Sequence, residues 1–161
     1  MAAGATYTPI ATTTASGSTG AVTFSSIPQT YTDLVVVINT SLSSLCNSLL
    51  QFNGDTGSNY SGTVIGGSGS APITGRGSNL TFSYLGLYNA SIGNLILNIQ
   101  NYSNTTTYKT LLTRSNNSQY VESYVSLWRS TAAINSIYLT QDSGGNFSAG
   151  STFTLYGIAA A

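Results

Sequence analysis

The sequence predicts an all-β protein, an antiparallel two-sheet sandwich of jelly-roll-like kind, and three observations carry that prediction. Helix formers do not recur at helical spacing, whereas Thr, Tyr, Val and Ile dominate the patterned segments. Short runs of strand character follow one another roughly every ten residues, separated by Gly, Asn, Ser and Pro clusters. About ten such strands are too many for one open antiparallel sheet, so they divide between two. A chain of 161 residues suffices for one domain with a full core, here 1–161, and shows neither a linker nor an internal repeat.

Taken in order, strands are expected near 6–13, 20–26, 33–41, 48–53, 80–88, 94–102, 108–115, 120–130, 134–141 and 151–159. The first 18 residues are rich in Thr, Ser, Gly and Ala, so part of 1–18 is expected to be an extended arm reaching a neighbour. DLVVVI (33–38) is an apolar run, as in a central strand covered on both sides. The stretch 62–79, containing GGSGSAPITGRG, reads as a long Gly/Ser-rich surface loop. LTFSYLGLYN switches phase: Leu80, Phe82 and Tyr84 give way to Leu85 and Leu87 beside Gly86, the mark of a β-bulge or of a strand bending between sheets. NLILNIQN sets Leu95, Leu97 and Ile99 against Asn94, Asn98 and Gln100, and STFTLYGI sets Phe153 and Leu155 against Thr152, Thr154 and Tyr156.

Charge narrows the function. Charged residues make up 5% of the chain, against roughly 25% in typical soluble domains. Asp33, Asp55, Glu122 and Asp142 balance Arg76, Lys109, Arg114 and Arg129. A neutral chain offers no electrostatic footprint for nucleic acid or an acidic membrane. It also lacks the net charge that keeps free monomers apart, so self-association in a closed cyclic oligomer is expected. The start has neither a basic nor an apolar signal region, so it reads as a cytoplasmic product without a signal peptide, and no run is long enough for a membrane span.

The same inventory argues against catalysis. There is no histidine, so Ser-His-Asp and Cys-His chemistry are excluded, and nothing in the spacing pairs two of the four acids. The expectation is no enzyme, no catalytic residues, no cofactor and no metal. Cys46, the single cysteine, reads as a small buried residue among leucines. FNGDTGSNYS gathers Asn53, Asp55, Asn59 and Tyr60 around two glycines but offers one carboxylate, too few for a good calcium loop. It reads as a tight turn on which a recognition loop could be built. In QYVESYVSLWRS, Tyr120, Tyr124 and Trp128 share one face and Val121, Val125 and Leu127 the other. Either both faces are buried, or the valines are core and the aromatics form a contact surface for protein or carbohydrate.

Three segments, TFSSIPQTYTDLVVVI (23–38), LQFNGDTGSNYS (50–61) and SLWRSTAAINSIYLTQDSGGNFSAGSTFTLYGI (126–158), bear on identity. Together they resemble a group of small virion structural proteins of tailed bacteriophages, particularly phages of aquatic bacteria. That group pairs an Ile-Pro-x-x-Tyr-x-Asp-Leu motif with an Asn-Gly-Asp-x-x-x-Asn-Tyr turn and a closing Gly-Ser-x-Phe-x-Leu-Tyr-Gly-Ile. The basic residue often found before the turn is absent here, Phe52 standing in its neighbourhood. The resemblance implies a component of the virion surface, a capsid decoration (cement) protein being favoured. Its partners would be itself, a trimer being favoured because it suits sites on a virion surface, and the major capsid or other virion proteins. The alternative is a tail or neck appendage or fibre protein that binds host-surface carbohydrate.

Overall fold

A computed structural model describes residues 6–88 and 90–159. The strands are β1 (Tyr7–Thr14), β2 (Val22–Phe24), β3 (Asp33–Thr40), β4 (Cys46–Phe52), β5 (Tyr60–Gly67), β6 (Pro72–Leu80), β7 (Ser83–Tyr88), β8 (Gly93–Ile99), β9 (Lys109–Asn116), β10 (Val121–Trp128), β11 (Ile137–Gln141) and β12 (Thr152–Ile158). They form an eight-stranded sheet, β1-β12-β3-β8-β9-β10-β5-β6, and a four-stranded sheet, β2-β11-β4-β7, and every pairing is antiparallel. The chain passes repeatedly from one sheet to the other, which gives the sandwich its jelly-roll-like character.

One continuous core fills the space between the sheets. From the large sheet come Leu34, Val36, Ile38, Leu95, Leu97, Ile99, Leu111, Trp128, Phe153 and Leu155; from the small one Val22, Phe24, Leu50, Phe52, Leu85, Ile137 and Leu139. The alternation read in NLILNIQN and STFTLYGI is what turns these side chains inward. Cys46 is buried among them. The phase switch beside Gly86 is a register shift between β4 and β7, where the chain has just moved from β6 in the large sheet to β7 in the small one.

Three expectations are corrected. The stretch 62–79 is no surface loop: it forms most of the hairpin β5–β6 at one edge of the large sheet. Its glycines mimic loop composition but permit close strand packing, since a Cβ at Gly66 would collide with Val121 O and crowd Glu122. The arm expected within 1–18 is, over 7–14, the strand β1 paired with β12 of the same chain, while 1–5 lie outside the described residues. DLVVVI is covered on both sides only in part. Leu34, Val36 and Ile38 face the core; on the outer face, which no strand of the small sheet covers, Val35 is 5% exposed but Val37 is 38% exposed.

Candidate functional site

The FNGDTGSNY turn joins β4 to β5. Asn53 (φ 53°) and Gly54 (φ 67°) both take positive φ, and Asp55 N–H closes the turn on Phe52 O at 2.8 Å. The side chains of Asn53, Asp55, Asn59 and Tyr60 then find partners. The Asn53 amide donates to Ala133 O (2.8 Å) and accepts from Asn135 N–H (2.9 Å) and Ser136 N–H (3.1 Å). The Asp55 carboxylate accepts from Trp128 Nε1–H (2.7 Å), Gly57 N–H (2.8 Å) and the Asn59 amide (3.0 Å). The Tyr60 hydroxyl accepts from Phe52 N–H (2.9 Å) and donates to Asp55 O (3.4 Å). Arg129 donates to Ser58 O (2.8 Å) and to Asn79 Oδ1 (3.2 Å). This turn is a knot tying β4, β5, β6, β10 and the 129–136 segment together.

The electrostatics follow from those partners. Burial pushes the Asp55 pKa up, but donors from Trp128, Asn59 and Gly57 outweigh it, so the carboxyl titrates below its ordinary value. Burial raises the Tyr60 hydroxyl strongly. The other acids are also structural acceptors: Asp33 takes Asn101 N–H (2.6 Å), Glu122 takes Leu87 N–H (2.8 Å) and Asp142 takes Asn47 N–H (2.8 Å). Burial raises Glu122, the Leu87 bond opposing it. Among the described residues no three Cys, Asp or Glu side chains come together.

Neither reading of β10 holds as stated: its aromatic side faces the core and its valines face out. Trp128 is 1% exposed and packs against Phe52 (ring centroids 5.2 Å) and Tyr60 (6.4 Å). Tyr60 is itself fully buried. Tyr124 lies half-buried between the sheets, 6.4 Å from the Tyr84 ring, and Tyr120 is half-buried ahead of the strand, its N–H bonded to Asn117 Oδ1. Asn53, Asp55 and Asn59 are half-buried in the knot. The valines point the other way, Val121 being 63% and Val125 53% exposed. The parity of β10 is decided by its largest side chain: once Trp128 enters the core, Val121 and Val125 must face out.

They belong to a surface that sequence reasoning did not identify. Strand register aligns Thr154, Val37, Ile96, Arg114, Ser123 and Ile65 in one row of the outer face of the large sheet. The neighbouring row runs Tyr156, Val35, Asn98, Leu112, Val125 and Thr63. Val37, Ile96, Leu112, Val125 and Ile65 are exposed there. Arg114, in the first row, and Arg76, opposite Thr63, are exposed and make no hydrogen bond or ion pair among the described residues. The other cations are engaged: Lys109 is buried on Thr107 O and Thr131 O, with desolvation lowering its pKa, and Arg129 holds the turn.

No family model and no curated protein matches the chain. Among solved structures, the binding domain of botulinum neurotoxin serotype G aligns over 82% of this chain at 8% identity, with a TM-score of 0.22. The chain covers 34% of that one, and overlap at this level does not amount to a shared fold.

Proposed function

We propose that the chain is a non-enzymatic structural protein of a tailed-bacteriophage particle, a capsid decoration protein that works by packing the outer face of its large sheet against a second copy. The observation that carries this reading is the uncovered apolar face running through Val37, Ile96, Leu112, Val125 and Ile65. Eight strands at about 4.8 Å and some six residues at about 3.4 Å give it roughly 800 Å², near the area each partner contributes to a standard interface. With each acid accepting a backbone N–H and no two of them facing each other, the chain supports assembly better than it supports catalysis.

Charge complementarity favours a second copy as the occupant. Asp33 and Arg114 sit on the same face, two strands and four residues apart in register, roughly 16 Å. A twofold axis lying in the plane of the face and passing near Asn98 exchanges their positions. Each Asp33 then meets the other copy's Arg114, and the apolar rows meet at the centre. This surface supports a dimer, where sites on a virion surface had favoured a trimer. Imaging of the intact particle tests the virion assignment: density for this chain at repeating sites on the head surface is expected, and its absence from the particle overturns the assignment.

A further inference from the structure

We infer that the cavity between the β5–β6 hairpin and β7 is a binding site for a single sugar ring. The cavity has a volume of about 170 Å³ and lies between strands of both sheets, lined by Asn47, Val64, Leu80, Tyr84, Tyr124 and Ser126 among others. Val64, Tyr124 and Ser126 lie on the inner side of the large sheet, so the site is separate from the outer face and does not rest on the assembly reading.

Two features point to a ligand. Ser126 is 4% exposed, yet its hydroxyl has no hydrogen-bond partner among the described residues and borders the cavity. That hydroxyl is open to the cavity, where a polar group of a ligand can take the place of water. The Tyr84 and Tyr124 hydroxyls likewise lack protein partners, while their rings stand 6.4 Å apart at 30°. Around them Asn47 is oriented by Asp142, which takes its amide N–H at 2.8 Å and leaves the amide oxygen free to accept.

The chemistry of this lining selects the ligand. Aromatic rings and the Val64 and Leu80 side chains offer an apolar surface to C–H groups, and hydroxyls with an amide oxygen offer both donors and acceptors. Arg76 lines the cavity as a further donor, no carboxylate does, and Glu122, next inward on β10, is occupied by Leu87 N–H. The volume is below that of drug-sized pockets and is close to one pyranose. A ring with an apolar C–H face and hydroxyls around its edge meets each of these requirements.

The test is saturation-transfer NMR on the folded protein with methyl glycosides of glucose, galactose, mannose and N-acetylglucosamine, followed by titration of any that responds. Saturation of ring protons is expected for at least one glycoside. Binding should weaken about tenfold in Ser126→Ala and in Tyr84→Ala, as for one lost buried hydrogen bond or one lost stacking face. Thermal melts of both variants establish that they fold, and Tyr124→Phe, which keeps the ring, provides a third variant that removes only a hydroxyl. Absence of transfer to all four glycosides overturns the inference, as does transfer that persists undiminished in all three variants.

Discussion

Replacing Asp55 tests the knot at its centre. Its carboxylate holds Trp128 Nε1–H at 2.7 Å, Gly57 N–H at 2.8 Å and the Asn59 amide at 3.0 Å. Gly57 is exposed and Asn59 half-exposed, so water replaces most of what those donors lose. Trp128 is 1% exposed, and its indole N–H would be left buried and unpaired. The loss for Asp55→Ala is therefore dominated by one charge-assisted bond and its stranded donor, about 2–3 kcal/mol. In a domain of this size that lowers the melting midpoint by roughly 5–10 °C. Asp55→Asn keeps an acceptor oxygen but no charge, and should lose about 1 kcal/mol; a turn valued for shape alone would have tolerated it. Because Trp128 is the only tryptophan, its emission reads this site without interference. The pH dependence has a fixed sign. The folded pKa of Asp55 is lowered, so its contribution is complete above the unfolded value and disappears as pH falls through the folded one. The gap between wild type and Asp55→Asn should close in acid. An Asp55→Ala variant that melts with wild type and keeps its Trp128 emission refutes the reasoning.

Two further substitutions probe other parts of the frame. A Cβ at Gly157 would overlap the Tyr31 ring, so Gly157→Ala should cost about 3 kcal/mol, and denaturant titration should show the cost largely removed in a Tyr31→Ala background. Equal costs in both backgrounds would mean that the ring is not what forbids the methyl group. Glu122 has a folded pKa raised by burial, so ionisation at neutral pH opposes folding: its favourable contribution is present below the unfolded pKa and lost as pH rises through the folded one. Glu122→Gln retains an acceptor for Leu87 N–H, and should raise the midpoint at neutral pH while leaving it unchanged in acid; a lower midpoint at neutral pH would contradict this.

The resemblance motifs turn out to be joints of the frame. Tyr31, from the Ile-Pro-x-x-Tyr stretch, lies against Gly157 of the closing Leu-Tyr-Gly-Ile, and Pro28 O accepts from the buried Tyr102 hydroxyl. Alternation made most strands and the inward sides of β8 and β12 legible, because period two survives wherever one face is core. On β10 it set Tyr120, Tyr124 and Trp128 against the valines correctly but could not say which side was core, since both faces carry large apolar groups. That choice depends on Trp128 reaching Asp55, 73 residues away, a contact no local pattern encodes. The hairpin β5–β6 was illegible for a different reason. Its pairing uses backbone groups and close approach at glycines, which in composition look the same as a loop. The outer face was hidden inside DLVVVI, where an apolar run gives no hint that one of its two faces lacks a cover.

Sedimentation velocity of wild type beside Leu112→Asp tests the self-packing face most directly. Leu112 is 40% exposed at the centre of that face, so the substitution leaves the core untouched while placing a charge where the second copy's apolar row must sit. A wild-type dimer is expected at micromolar concentration and a folded monomer for Leu112→Asp, with Arg114→Glu dissociating likewise because it opposes Asp33. A wild-type monomer across that range, or a Leu112→Asp variant as dimeric as wild type, would contradict it.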